Sequence, residues 1–432
     1  MSDNPFTFGN PIRDTERFFG RQDELRQVAS RLLSSVHEST AVVGERRTGK
    51  TSLLLHLSHP QVMERFHLDA QHYCMVYIDF QGLVDITPER FWQRLLKKMA
   101  RAICHQGLQA EIASLLKMPA FDLFDLEDLF ESAAGAGLTT VLLLDEFEYI
   151  TQNPNFKADF FGGLRGLAIH HNMPLVTSTR RDLVDLCHSD EIKGSPFFNI
   201  FASVVLRPFK RQDVFDLVDA YTKISDVHLS QPEVELVYQL SGGNPFFVQM
   251  AGYYLVETRL KGVPHDMLPA AVAADFDAQA DPHFSYLWTH CSESEKITLL
   301  GVISLRRQKA SRKTLSTLEN LERLHPRAPL DVPNLLKRGL LLNEADATYR
   351  LFSPSLERWI AREIVASEQD QESDAEVQAW IKTSGQELSE PVQGLLPRFK
   401  RKYWPVVSTV LRELSFELVG NAAFELLVKS VV

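Results

Sequence analysis

The feature that most restricts what this chain can fold into is the octapeptide Gly44-Glu-Arg-Arg-Thr-Gly-Lys-Thr51. It follows an apolar run at Ala41–Val43, which predicts a strand, and it opens the segment Thr51–Leu57, which predicts a helix. Glycine lets the backbone turn closely around a phosphate, and the amides at the start of a helix attract the anion. The spacing GxxxxGK(S/T) in this setting therefore predicts a phosphate-binding loop.

Within this loop, Lys50 is the candidate for contact with β- and γ-phosphates, and the Thr51 hydroxyl is a candidate ligand of Mg²⁺. A chance glycine-rich turn is the alternative, and the flanking strand and helix argue against it. The predicted nucleotide-contacting residues are Gly44, Glu45, Arg46, Arg47, Thr48, Gly49, Lys50, Thr51 and Ser52.

A second candidate element is the apolar run Val141–Leu144, which ends on the two carboxylates Asp145 and Glu146. Beside a phosphate loop, the first acid is expected to hold Mg²⁺, directly or through water, and the second to orient an attacking water. Taken alone, two acids after a strand are more often a solvated strand end. Together with an intact phosphate loop, they predict a site for nucleotide chemistry.

Short apolar runs alternate with amphipathic helical segments over residues 1–208, which predicts an α/β domain with a parallel sheet and helices on both faces. One such helix is Pro88–His105, with Thr87 as its N-cap. The candidate strands are Ala41–Val43, Met75–Phe80, Val141–Leu144, Leu175–Ser178 and Ser203–Leu206.

The rest of the chain changes pattern several times. Residues 209–265 predict a helical lid, and residues 280–365 predict a winged-helix domain, in which helices are followed by a small hairpin. Residues 366–376 contain five acidic and no basic residues, which is typical of a solvated linker. Residues 377–432 predict a short C-terminal helical segment.

Five short motifs occur in one order along about 230 residues: Phe19-Gly20-Arg21, Gly44–Thr51, Asp145-Glu146, Thr177-Ser-Thr-Arg180 and Gly243-Asn244-Pro245. In this combination the chain resembles the STAND branch of the AAA+ class of P-loop ATPases. The resemblance implies that residues 1–208 form an ATPase domain, with ATP and Mg²⁺ as cofactors.

The same resemblance implies roles for individual residues. Gly20 and Arg21 would lie against the nucleotide, and Pro245 would begin a lid helix near the adenine. Arg180 would read the γ-phosphate and act in catalysis with Lys50 and Glu146. From the residues alone, Arg180 could instead be half of a surface pair with Arg181, and Asn244-Pro245 could be an ordinary helix start.

Hexameric AAA+ machines supply an arginine in trans just before the fifth strand, whereas Ile192–Phe201 of this chain contains Lys193 and no arginine. Such arginines raise rates by roughly 10³–10⁵-fold where they are measured. Without such an arginine, we expect this chain to hydrolyse ATP slowly. Slow hydrolysis suits a nucleotide-controlled switch better than a motor, and the resemblance to STAND proteins implies that such a switch acts in signalling or defence.

The formal net charge of −10 excludes a generic polyanion binder, but Arg306–Arg338 holds nine basic and three acidic residues. That segment could contact duplex DNA, as in a DNA-associated initiator or loader. It could equally clamp the acidic body of the same protein.

The C-terminal segment carries a basic run, Arg398–Lys402, before an apolar helical stripe. The stripe predicts ordinary core, a helix that lies on a membrane surface, or a surface for self-association or a protein partner. No apolar run approaches 18 residues and the N-terminus lacks a signal pattern, so a cytoplasmic protein without a membrane span is expected. The four cysteines have no metal or disulfide spacing, which predicts buried thiols.

Overall fold

The computed structural model describes residues 4–225, 227–307 and 316–369. They divide into two compact units. Of the described residues, the first unit contains those up to Leu229 and also Asn244–Gln249, and the second contains Ser230–Gly243 and those from Met250 onward.

The first unit is built on a five-stranded sheet with the order β2-β3-β4-β1-β5, in which every pair is parallel. The predicted α/β class is therefore confirmed, and each predicted strand is present with its ends shifted by up to two residues. The strands are β1 (Ser39–Val43), β2 (Tyr73–Asp79), β3 (Thr139–Asp145), β4 (Leu175–Thr179) and β5 (Phe201–Val205).

Ten helices of the described chain lie wholly in this unit. They are α1 (Gln22–Leu32), α2 (Lys50–Leu57), α3 (Pro60–Arg65), α4 (Pro88–Ala102), α5 (Gln106–Leu115), α6 (Leu123–Gly135), α7 (Glu148–Thr151), α8 (Ala158–His170), α9 (Asp190–Lys193) and α10 (Arg211–Ser225).

The sheet separates two apolar cores, which explains why its central strands are continuous apolar runs. On one face, Leu142 and Leu144 pack with α4, α6 and α8 in a cluster rich in phenylalanine. On the other face, Val141 and Leu143 pack with α1 and α2. Because β3 is buried on both faces, its polar end at Asp145 is buried as well.

The second unit is mainly helical. The helix α12 (Pro245–Leu260) begins in the first unit and ends in the second. The unit also contains α11 (Gln231–Ser241), α13 (Leu268–Thr289), α14 (Glu293–Arg307), α15 (Leu318–Leu324), α16 (Ala328–Lys337), the antiparallel pair β6 (Leu341–Asn343) and β7 (Tyr349–Leu351), and α17 (Pro354–Gln369). Three helices followed by a hairpin is the element order that the winged-helix prediction requires.

Several sequence-based boundaries differ from the structure. Helix α4 ends at Ala102 rather than His105, because Ile103 leaves helical geometry. Helix α13 occupies a stretch in which the sequence predicted no element. Helix α17 runs through Gln369, so the first four residues of the predicted linker 366–376 are helical. The remainder of that linker and the predicted segment 377–432 lie outside the described residues.

Candidate nucleotide-binding site

A cavity of about 430 Å³ lies in the first unit, at the carboxyl edge of the sheet. The helix α2 begins on it, and a stretch near the N-terminus, residues 7–12, forms part of its wall. Its lining residues are Thr7, Phe8, Gly9, Asn10, Pro11, Ile12, Arg17, Phe18, Phe19, Arg21, Arg46, Arg47, Thr48, Gly49, Lys50, Thr51, Ser52, Gln81, Glu146, Phe209, Leu217, Pro245, Phe246 and Gln249.

The phosphate loop connects β1 to α2 in a tight turn. Gly49, the residue before α2, has φ of +92°, a left-handed conformation that favours glycine. At Gly44, an added Cβ would stand 2.7 Å from the Thr48 hydroxyl oxygen. That hydroxyl donates to the Glu45 carbonyl oxygen at 2.8 Å and closes the turn. Gly44 and Glu45 therefore help to shape the loop. Neither residue lines the cavity, although both are predicted to contact the nucleotide.

Lys50 is the first residue of α2 and is 4% exposed. Its Nζ donates to the carbonyl oxygens of Gly44 at 3.0 Å and Glu45 at 3.3 Å. A buried ammonium group whose hydrogen bonds go to neutral carbonyls keeps much of its attraction for an anion. Together with the amides at the start of α2, this arrangement can bind a phosphate group.

The remaining loop residues face the cavity. Arg46, Thr51 and Ser52 line it, and the Ser52 hydroxyl accepts a hydrogen bond from the Ile12 amide at 3.0 Å. Arg47 has φ of +69°, donates to the Gly9 carbonyl at 3.4 Å, and stacks on the ring of Phe246 at 4.7 Å.

Arg21 contacts the phosphate loop, and Gly20 packs beside it against Phe209. Arg21 is 3% exposed, pairs with Glu24 at 2.9 Å and donates to the Thr48 carbonyl at 3.1 Å. Burial lowers the pKa of Arg21, and Glu24 opposes that shift. Arg21 also stacks on Phe209 and lines the cavity. Gly20, with φ of +71°, packs against Phe209, where a Cβ would come within 2.6 Å of the ring, and it does not line the cavity.

Asp145 ends β3 and is 1% exposed. Its Oδ2 accepts from the Tyr77 hydroxyl at 2.9 Å, and its Oδ1 accepts from the Ser178 hydroxyl and, at 3.1 Å, from the Glu146 amide. Asp145 is not among the lining residues, whereas Thr51, the other predicted metal ligand, is.

Glu146 lines the cavity and has φ of +54°, a left-handed conformation that is costly for a glutamate. Its amide donates to the Ser178 hydroxyl at 3.2 Å, which helps to hold this geometry. Burial raises the pKa of Glu146, and Lys50 is the largest opposing influence. A carboxylate with a raised pKa at the cavity wall can accept a proton from water.

Arg180 follows β4, and its Nε donates to Glu148 at 2.9 Å. Glu148 is 1% exposed, and its Oε2 has no hydrogen-bond partner in the described structure. Arg180 therefore contacts a buried acid beside the site and is not a lining residue. Pro245, at the start of α12, does line the cavity.

Three parts of the site are not indicated by the sequence motifs: the wall formed by residues 7–12, the Tyr77 hydroxyl, and the contact of Ser178 with Asp145. The repeated aromatic and proline residues near the N-terminus are a signal that could have drawn attention to that wall. The Tyr77 contact has no local signal, since it depends on the pairing of β2 with β3.

A phosphate loop between β1 and α2, with an acidic end on the parallel strand β3 of the same sheet, separated from β1 by β4, defines the class of P-loop NTPases. Within that class, residues 28–306 match the family described as Novel STAND NTPase 2, and the chain belongs to this family. The resemblance carried by the five motifs is thereby confirmed.

Solved structures support the fold. The chain is similar to a Walker-type ATPase of Pyrococcus abyssi, with a TM-score of 0.52 and 18% identity over 81% of this chain and 98% of that one. It is also similar to the ORC2 protein of Aeropyrum pernix in its ADPNP–ADP complexes, with a TM-score of 0.51 and 14% identity over 84% and 100% of the two chains. A comparison with curated proteins finds no match.

The donor set fits a nucleotide with a divalent cation. Lys50 and the first amides of α2 suit phosphate oxygens, and a threonine hydroxyl with a carboxylate suits Mg²⁺. Within the described ranges, no group of three or more His, Cys, Asp or Glu side chains could hold a metal ion by itself. Over the same ranges, no helix is long and apolar enough to cross a membrane.

Proposed function

We propose that this protein is an ATP-binding switch that hydrolyses ATP slowly. ATP·Mg²⁺ binding would rearrange the lid and winged helix and so control self-association or recruitment of a protein partner in signalling or defence. The main observation behind the proposal is the buried Lys50 ammonium group, which donates hydrogen bonds to two loop carbonyls at the N-terminus of α2. A γ-phosphate would replace those weak partners with a strong one.

Two groups of lining residues would bind different parts of the proposed nucleotide, its phosphates and its base. Lys50 and the amides of α2 would bind the phosphates, and Thr51 and Asp145, the latter directly or through water, would hold Mg²⁺. The aromatic and main-chain groups of residues 7–12, with Pro245 and Phe246, would surround the base. When bound, Mg²⁺ would neutralise charge on the β- and γ-phosphate oxygens.

Slow turnover is supported by the acidic partners of two cations, Arg180 beside the site and Lys193 in helix α9. Arg180, the proposed γ-phosphate sensor, is paired with the buried Glu148. Lys193, the cation in the stretch where related machines place an arginine, pairs with Asp190 at 3.0 Å. A cation that must first leave an acid offers less stabilisation to the transition state.

The alternative of a DNA-associated ATPase rests on the basic segment Arg306–Arg338. Three of its cations have acidic partners in the second unit: Arg306 with Glu344, Arg323 with Glu319, and Arg338 with Glu295. The side chain of Arg338 is only 7% exposed, which leaves it little access to a DNA phosphate. These pairs favour the switch over the DNA-binding alternative.

The test of the proposal is nucleotide binding and assembly of the full chain, measured by calorimetry and by light scattering with and without ATP·Mg²⁺. We expect Lys50→Ala to weaken ATP binding by at least 100-fold, because the phosphates lose their buried cation. The matched control, Lys97→Ala on the exposed side of α4, should bind as the wild type does. Glu146→Gln should bind ATP normally, hydrolyse it at least tenfold more slowly, and accumulate the assembled form.

Three outcomes would contradict the proposal. If Lys50→Ala binds ATP with wild-type affinity, the proposed binding of the phosphates by Lys50 is wrong. A mass that stays the same with and without ATP·Mg²⁺ would exclude switching by self-association. Duplex-DNA binding with a steep salt dependence that is lost on neutralising Arg306 and Arg307 would favour the alternative.

A further inference from the structure

The last residue of β3 is held by hydroxyl groups from the strands on either side of it. Tyr77 of β2 donates to Asp145 Oδ2 at 2.9 Å, and Ser178 of β4 donates to Asp145 Oδ1. Asp145 is 1% exposed, so bulk water does not compete for these contacts. Each carboxylate oxygen therefore has its own protein donor, and the carboxyl plane is defined from two sides.

The sheet register explains how Tyr77 reaches this position. Asp79 is the residue directly opposite Asp145, and Tyr77 lies opposite Leu143, two positions earlier. Residues two apart share a face of the sheet and are separated by roughly 7 Å along the strand. A tyrosine is long enough to cross that gap with its hydroxyl, whereas phenylalanine would present only a ring edge.

The Tyr77 hydroxyl remains a donor at any physiological pH. Burial is the main cause that raises the pKa of Tyr77, and the nearby charge and hydrogen bond of Asp145 add to it. The contact is therefore a permanent hydrogen bond from a neutral phenol to a carboxylate.

We propose that Tyr77 is a positioning residue that orients Asp145 and thereby sets the affinity of the nucleotide site for its divalent cation. This inference rests on the proposed function, in which Asp145 serves Mg²⁺. Mg²⁺ demands near-octahedral geometry and tolerates a misplaced carboxylate poorly. Loss of an outer-shell partner typically costs roughly 10–100-fold in metal affinity.

A matched control is available on the same strand. Tyr73 lies on the same face of β2, and its hydroxyl approaches the Leu32 carbonyl at 3.5 Å, away from Asp145. Tyr73→Phe removes a phenol hydroxyl from the strand without changing the carboxylate. A difference between Tyr77→Phe and Tyr73→Phe therefore reports the contact with Asp145 rather than a general weakening of β2.

The experiment measures binding of a fluorescent ATP analogue to the full chain as MgCl₂ is varied, and again in EDTA. For Tyr77→Phe we expect the Mg²⁺ concentration at half-maximal effect to rise at least tenfold, with unchanged affinity in EDTA. Tyr73→Phe should match the wild type in both conditions. Ser178→Ala, which removes the second hydroxyl, should shift the Mg²⁺ midpoint in the same direction and decides the test if Tyr77→Phe fails to fold.

The possible failures are distinguishable. A Tyr77→Phe midpoint within twofold of the wild type overturns the positioning role and leaves the proposed function intact. An equal loss of binding in EDTA and in Mg²⁺ also overturns it, since a purely structural role would produce that pattern. A wild-type chain whose binding ignores Mg²⁺ overturns the metal role of Asp145 and this inference with it.

Discussion

Lys50 and Arg21 are both almost fully buried cations at one cavity, and their surroundings give them different tasks. Arg21 has a carboxylate, a carbonyl and an aromatic ring around its guanidinium group, so its charge is largely satisfied within the protein. Lys50 has two carbonyls. With these carbonyls and the influence of Glu146, the charge of Lys50 is less fully compensated than that of Arg21, so a phosphate gains more at Lys50.

His56 makes the stability of the first unit sensitive to acid. Its ring lies on α2, stacked on Phe18 at a centroid distance of 4.0 Å, and burial lowers its pKa from 6.5 to about 4. Between these values the unfolded chain binds a proton that the native chain does not, so stability falls as the pH decreases through this window. The urea concentration at half-unfolding should therefore decrease less between pH 7 and pH 5 in His56→Phe than in the wild type.

The control for that prediction is His170→Gln, at the exposed end of α8. It should keep the wild-type dependence of the urea midpoint on pH. If His56→Phe and the wild type lose midpoint equally between pH 7 and pH 5, His56 is not the group that takes up the proton.

At the residue scale, the sequence could predict the positions of side chains that a motif ties to the backbone. Lys50, Thr51 and Glu146 line the cavity because the loop and the strand end determine where they point. Tyr77 and Glu148 could not be predicted, since their partners Asp145 and Arg180 come from other strands. These contacts can be predicted only when the order and register of the strands in the sheet are known.

At the scale of elements, the start of α12 shows local chemistry that the sequence does predict. The Asn244 side chain accepts from the amides of Phe246 at 3.0 Å and Phe247 at 3.3 Å, and Pro245 occupies the first helical position. The prediction that a solvated linker begins at residue 366 is wrong for residues 366–369, because acidic side chains alone do not end a helix. Helix α17 is anchored earlier, where Trp359 and Ile360 are buried.

Gly242, which ends α11, is a position where the second unit depends on glycine. It has φ of +57°, and an added Cβ would lie 2.0 Å from the Phe352 carbonyl oxygen. Gly242→Ala should therefore destabilise this unit by about 3 kcal/mol or more, since the clash is with backbone that cannot turn aside. Thermal unfolding of the full chain measures the effect.

Gly262 provides the comparison, because it has a similar φ of +74° and nothing within 4 Å of an added Cβ. Gly262→Ala should cost only the roughly 1–2 kcal/mol of a left-handed alanine. Equal destabilisation by the two substitutions would show that the approach of Phe352 contributes nothing.

At the scale of the whole molecule, the path of the chain is less simple than the predicted series of domains. Helix α10, assigned from sequence to the lid, is grouped with the sheet, where Tyr221 donates to the Arg17 carbonyl at 3.0 Å and stacks on Phe6. The chain then leaves the first unit after Leu229 and returns to it for six residues, Asn244–Gln249. Composition along the chain gives no sign of such a return.

That return predicts a response to nucleotide far from the phosphate loop in sequence. Pro245, Phe246 and Gln249 line the cavity, and the Gln249 side chain accepts from the Thr7 amide at 3.3 Å. With ATP·Mg²⁺ at ten times its dissociation constant, amides that open only after nucleotide release should exchange about tenfold more slowly. Hydrogen exchange read by mass spectrometry should show this slowing in residues 246–249 as well as 44–52.

Residues 106–115, which form helix α5 of the first unit, serve as an internal control, because none of them lines the cavity or belongs to the proposed lid. Their exchange should be unchanged by ATP·Mg²⁺, and Lys50→Ala should lose the slowing everywhere. Protection confined to residues 44–52 would mean that the first turn of α12 takes no part in nucleotide binding. A slowing in both segments that Lys50→Ala abolishes would instead support one nucleotide site formed by two stretches about 200 residues apart, because both then lose the same protecting ligand.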